Sequence, residues 1–162
     1  MIRFFLAGIM QGSLREAALH SQTYRQQVAE LLAGAFPDAD IYDPLAQHAS
    51  SIDYDDATGR QVFFHHNCLC REVDVVVAFV PEASMGTAIE MWEAHRHGRV
   101  VIAISPLAHN WAVKFLSHAV YPDVEAFAAA LADGRVRRIV EQLGASPAAA
   151  PPGNPPIGGG QQ

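Results

Sequence analysis

Apolar and polar positions fall along this chain in blocks of two kinds. Ile2 to Ala7 is an apolar run ending at Gly8 and a polar turn with Gly12 and Ser13, the mark of a buried first strand. From about Glu16 to Ala33, Tyr24, Val28, Leu31 and Leu32 recur at helical spacing and predict an amphipathic helix. Ala39 to Tyr42 is a short strand closed by Asp43 and Pro44. The polar stretch that follows, to about Thr58, carries Asp53, Asp55 and Asp56 and reads as a loop or lid over the sheet edge. A helix from roughly Gly59 to Glu72 places Val62, His66 and Leu69 on one side.

The segment from Asp74 to Ser105 is the most regular. Val75 to Val80 is apolar, Pro81 to Ser84 is a loop, a helical stretch runs through Trp92 and Ala94 to Gly98, and Val100 to Ile104 is apolar again. Strand, loop, helix and strand in that order make the unit of a parallel sheet covered by helices. Pro106 to His109 is a loop, and a short helix lies around Asn110 to Leu116. Ala119 to Tyr121 is a candidate fifth strand. Pro122 and Asp123 open a helix through Phe127 to Leu131, and a last helix spans about Val136 to Leu143. The alternation predicts an α/β fold, a doubly wound flavodoxin- or Rossmann-like parallel sheet. It occupies residues 1–143. The tail from 144 to 162 is rich in Pro, Gly and Ala, has too little apolar surface to order itself, and is expected to be disordered.

Composition narrows the function. At 162 residues the chain fits one domain with a real core. A net charge of −6 without a basic stripe argues against a nucleic-acid polymer as partner. Lys114 is the single lysine, so Schiff-base chemistry would rest on that residue, whose surroundings do not suggest it. No apolar run is long enough to cross a bilayer, and the start reads as a strand rather than a signal peptide. Cys68 and Cys70 form a lone CxC, neither a disulfide framework nor a zinc site, and a reduced cytoplasmic protein is expected.

Glu90 is the first candidate for chemistry. It sits one turn inside the helix that follows a strand, at the sheet edge where open α/β sheets bind ligands. Near the positive end of the helix dipole a carboxylate is favoured as an anion, the form a nucleophile at a sugar carbon needs. The same spacing, Thr87 to Glu90, also matches a capping box, in which Thr87 caps the helix. Gly8 and Gly12 stand where a dinucleotide site would show GxGxxG, but the middle glycine is missing. They make a turn or let a small ligand approach the backbone. Ser84 is a helix N-cap or a ligand contact. Among the histidines, His95 and His97 belong at a helix C-terminus. No set has zinc-ligand spacing, and no metal is expected. His66 shares a helix face with Val62 and Leu69 and either packs there or points to the sheet edge.

FFLAG at the first strand, DVVVAFVPEASMGTAIEMWEA, and the following GRVVIAISP resemble the nucleoside 2-deoxyribosyltransferases and the related 2'-deoxynucleoside 5'-phosphate N-hydrolases, over about residues 2 to 131. The resemblance implies a five-stranded parallel sheet with helices on both faces, a homodimer or higher homo-oligomer, and no cofactor. It also implies cleavage of an N-glycosidic bond through a glycosyl-enzyme ester, with Glu90 at the nucleophile's position. The substrate-binding residues it implies are Phe5, Gly8, Asp43, Asn67, Ser84, Gly86 and Asn110. Ser84 stands where the transferases have Asp and the nucleotide hydrolases a phosphate-binding Ser. Ile9 and Gln11 stand where the hydrolases bring Ser and Arg to the phosphate. Asn110, with Trp111 and Leu116-Ser117, resembles the transferase segment whose Asn enters the neighbouring subunit's site.

The helix ahead of Asp74 departs from the family, because the position eight residues earlier, an Asp there, is His66 here. An imidazole can protonate a leaving base, so the expected general acid is His66 or an aspartate among Asp43, Asp53, Asp55 and Asp56, unless this branch acts on a different base. Transfer of the 2-deoxyribosyl group to a second base is the leading expectation. Hydrolysis of a nucleoside 5'-monophosphate is the alternative, and a non-catalytic nucleotide sensor on the same fold is the rival of another class.

Overall fold

The computed structural model describes residues 1–10 and 21–144. The expected turn at Gly12 and Ser13, Gln11, the expected start of the first helix at Glu16, and the tail beyond Gly144 lie outside the described residues. Five strands are joined by helices: β1 Arg3–Gly8, α1 Thr23–Ala35, β2 Asp40–Tyr42, α2 Pro44–Gln47, α3 Asp56–Glu72, β3 Val75–Phe79, α4 Met85–Arg96, β4 Val100–Ile104, α5 Trp111–Leu116, β5 Ala119–Tyr121, α6 Val124–Ala132 and α7 Arg135–Gly144. All strand pairs are parallel and the order is β2-β1-β3-β4-β5. This is the doubly wound α/β sheet expected from the alternation of periods.

Period-two alternation sends neighbours on β1 to opposite faces. Phe4 and Leu6 join Val28, Leu32, Phe127 and Val140 under α1, α6 and α7. Phe5 and Ala7 join Cys70, Met91, Ala94 and Val113 under α3, α4 and α5. The three central strands are apolar at nearly every position because both of their faces are covered. The order reverses direction between β1 and β3, and the carboxyl ends of those two strands leave a crevice there, since their connections depart to opposite sides.

Several local expectations are corrected. Ser21 and Gln22 precede the first helical residue, Thr23, so α1 does not run continuously from Glu16. The stretch after Asp43 is not a plain loop. Asp43 caps α2, Ser51–Asp53 forms a 3₁₀ turn, and Asp55 caps α3 by accepting from Thr58 N at 2.7 Å. On α3 the fully buried positions are Asn67 and Cys70, whereas Val62, His66 and Leu69 are half-buried, so the helix is rolled towards its Asn67 side. Cys68, two residues from buried Cys70, is exposed.

Candidate active site

The end of β3 is held from its neighbour strand before α4 begins. Val80 N donates to Ile104 O at 2.9 Å, and buried Ser105 donates its hydroxyl to Val80 O at 2.6 Å. The chain then turns through Pro81 to Ser84, and Ser84 takes the N-cap position of α4, its Oγ accepting from Thr87 N at 3.4 Å and sharing a 2.9 Å hydrogen bond with Thr87 Oγ1. Thr87 is therefore an internal residue of the first turn and not a cap, which removes the capping box. Glu90 is left with no backbone amide to satisfy.

Glu90 lies in a cleft of about 310 Å³ with Gly8, Met10, Phe63, His66, Ser84, Met85, Gly86 and Thr87. The cleft spans the crevice between β1 and β3. Burial pushes the Glu90 carboxyl up to about 8, and the Arg25 guanidinium opposes that rise. The next carboxylate on the same helix face differs. Glu93 is bound by Arg71 Nε at 2.7 Å and lies 3.6 Å from Arg96 Nε, while among the described residues Glu90 has no ion-pair partner. A carboxyl in a walled cleft without a bonded cation is available for chemistry.

His66 enters the cleft from α3 within a ring of aromatic neighbours. Its centroid is 6.0 Å from Phe5, 5.9 Å from Tyr42 and 5.2 Å from His48, each at a steep angle. His48 Nδ1 is 3.1 Å from Tyr54 Oη. Burial, followed by His48, His65 and Arg25, holds the imidazole down to about 4, so His66 is neutral at neutral pH. Its Nε2 is buried without a hydrogen-bond partner among the described residues, which marks it as a group awaiting a ligand atom.

Glu90, His66, Gly8, Ser84 and Gly86 thus come together, with Phe5 forming the wall behind His66. The other sequence candidates are engaged elsewhere. Asp43 Oδ1 accepts from Leu45 N at 3.0 Å and from Arg25 Nη1 at 3.1 Å. Asn67 is buried, donates Nδ2 to Phe63 O at 2.8 Å and leaves Oδ1 without a partner among the described residues. Asn110 caps α5 through Ala112 N at 3.0 Å and Val113 N at 3.4 Å. Its side chain lines a second, apolar groove of about 390 Å³ between α4 and α5. That groove is the larger of the two, but no titratable side chain lines it, so the chemistry belongs to the smaller cleft. Ile9 is 1% exposed and belongs to the buried apolar residues.

Four residues were not picked out as site residues by the sequence reading. Tyr24, placed there only on the apolar face of α1, stacks on Phe79 with centroids 3.9 Å apart and presses its hydroxyl over Gly8, where any Cβ would collide with it. Gly8 is therefore glycine because a phenol approaches it closely. Tyr42 and His48 frame His66. Arg25, on the Val28 and Leu32 side of α1, is 2% exposed. A cation at helical spacing from two core residues was the available signal.

No protein-family model matches this sequence, and no curated protein matches it. Solved structures with the same fold exist. A 2-deoxyribosyltransferase from Bacillus psychrosaccharolyticus superposes with a TM-score of 0.59 at 15% identity, over 80% of this chain and 95% of that one. A conserved protein from Enterococcus faecalis V583 gives a TM-score of 0.56 at 18% identity, over 82% of this chain and 98% of that one. At such identities the likeness is one of fold.

Proposed function

We propose that this protein cleaves the N-glycosidic bond of a deoxynucleoside through a glycosyl ester on Glu90 and passes the 2-deoxyribosyl group to a second base. The observation that carries the reading is Glu90 itself: a carboxyl without an ion-pair partner among the described residues, one turn into the helix after β3, in a cleft at the sheet's switch point that it shares with His66. The fold shared with a 2-deoxyribosyltransferase supports it.

In the first step a Glu90 carboxylate oxygen bonds to the anomeric carbon, and the electron pair of the carbon–nitrogen bond leaves with the base. A proton must reach the departing base. In the empty cleft, between about pH 4 and pH 8, the Glu90–His66 pair holds its proton on Glu90, with His66 neutral. The reactive arrangement is the tautomer with the proton on His66 and the charge on Glu90. It carries the same number of protons, so binding need only redistribute one. The unpartnered Nε2 of His66 is the atom suited to meet the base. In the second step a new base attacks the anomeric carbon and frees Glu90; attack by water instead would make the enzyme a hydrolase.

The exposed apolar side chains of α3, α4 and α5 support a homo-oligomer closing over this side of the molecule. Met85 and Phe63 stand both in that exposed set and at the cleft. A panel of deoxynucleosides and their 5'-monophosphates, each incubated with and without a second free base and followed by chromatography, tests the function. The expected product is a new nucleoside only when the second base is present. Release of base without it indicates hydrolysis, and a monophosphate preference would assign Ser84 to the phosphate. Glu90→Ala should reduce turnover by at least about 10⁴-fold. Normal turnover in that variant, or no base released from any substrate, overturns the reading.

A further inference from the structure

Arg25 is buried to 2% exposure, and its guanidinium is held at the floor of the crevice. Nη1 donates to Leu6 O at 2.8 Å and to Asp43 Oδ1 at 3.1 Å, Nη2 donates to Gly8 O at 3.3 Å, and Nε donates to Gln22 Oε1 at 2.7 Å. Leu6 and Gly8 belong to the end of β1, Asp43 follows β2, and Gly8 lines the cleft opposite Glu90. Fastening two strand ends does not require a charge. Removing a cation from water is costly, and an apolar side chain of similar size commonly serves stability as well. A buried arginine under a cleft whose carboxyl has no ion-pair partner among the described residues therefore calls for a second role.

We propose that Arg25 is a positioning residue of this site: it clamps the ends of β1 and β2 and supplies the fixed positive charge against which Glu90 ionises. The inference rests on the reading of Glu90 as the nucleophile. Among the described residues, the titratable groups around Glu90 are few. Tyr24 from α1 and Cys70 from α3 are both kept protonated by burial and bring no charge at neutral pH. His66 from α3 is neutral for the reasons given above. Glu93, one turn along α4, is neutralised by Arg71. Asp43 offsets part of the Arg25 charge. Among the described residues Arg25 is thus the cation that favours the Glu90 anion, and Asp43 moderates it. The same charge opposes a proton on His66, but there it is the weakest influence, behind burial, His48 and His65. Its net effect falls on the carboxylate.

The test is a carbon NMR titration of the protein labelled at its glutamate side-chain carboxyls, with the Glu90 signal assigned by its loss in Glu90→Gln. Arg25→Gln should move the Glu90 midpoint upward by about one pH unit or more. Arg25→Lys keeps the charge and should restore most of that shift, while Asp43→Asn should move the midpoint downward. A residue that only fastened β1 to β2 would leave the midpoint in place in every folded variant, and that result overturns the proposal. If Arg25→Gln does not fold, Arg25→Lys and Asp43→Asn carry the test, and an unmoved midpoint in Asp43→Asn is again fatal. The titration is read without turnover. Failure of the Glu90→Ala assay would therefore remove the proposed reaction and leave the Arg25–Glu90 coupling to be judged separately.

Discussion

The two faces of the sheet are finished to different degrees. Under α1, α6 and α7 the large side chains Phe4, Leu32 and Phe127 are fully buried, and among the described residues those helices leave Leu143 as their exposed large apolar side chain. Under α3, α4 and α5 the core is built of smaller residues, Ala7, Ala78, Ala94 and Ala103 among them, with Phe5 and Met91. The helices there leave Phe63, Phe64, Met85, Ile89, Trp92, Trp111 and Phe115 exposed. The same face carries Glu90, His66 and the apolar groove beside Asn110. One face buries its large apolar side chains in the fold, and the other leaves several of its own exposed. A large contiguous apolar surface on a protein marks an interaction site. The difference teaches that the Glu90 carboxyl belongs to the layer that leaves more of its apolar surface uncovered.

Substitutions on the two faces should separate these roles. Phe127→Ala on the closed face removes a fully buried ring and should cost about 3–5 kcal/mol of stability, measured by denaturant unfolding. Activity per folded molecule should be unchanged at low temperature; a specific loss of turnover would break the division.

On the open face the sign reverses. The folded-state pKa of Glu90, about 8, lies above its ordinary 4.5, so the folded state binds this proton more tightly than the unfolded chain does. Stability from this group is complete below about pH 4.5 and is lost as pH rises through about 8. Glu90→Gln should therefore remove turnover yet gain on the order of 5 kcal/mol over the parent at pH 9, and gain little at pH 4. Equal unfolding curves for the two proteins at pH 9 would show that folding does not raise the Glu90 pKa.

The smallest effect on folding is expected at Trp92. Its ring is 48% exposed, so Trp92→Glu should change monomer stability by less than about 0.5 kcal/mol. Sedimentation should nevertheless show an assembled parent and a dissociated variant. A parent that is monomeric at high concentration would mean that the open face has another use.

Much of this could be read along the chain. The β1, β3 and β4 runs are apolar because both of their faces are covered, and period and turn residues located all five strands. The strand–loop–helix order around Asp74 to Ser105 put Glu90 at the sheet edge. The start of α4 was harder, since Ser84 and Thr87 are both hydroxyl residues at capping distance from a helix. The strand end fixed by Val80 and Ser105 decides which one caps. The Asn110 side chain was expected near a reaction site, but its carboxamide is committed to the amides of α5.

By itself the sequence determined the order of elements, the two-sided burial of the sheet and the position of the carboxyl, because each follows from local periodicity and from the turn that ends a strand. Only the tertiary structure decided the state of that carboxyl and of its imidazole neighbour. Protonation depends on how much water is excluded and on which charges converge from distant segments. Arg25 lies 65 residues before Glu90 in the chain, and the fold brings it to the crevice floor through Leu6, Gly8 and Asp43. No spacing rule reaches that far, whereas the field of a buried cation does.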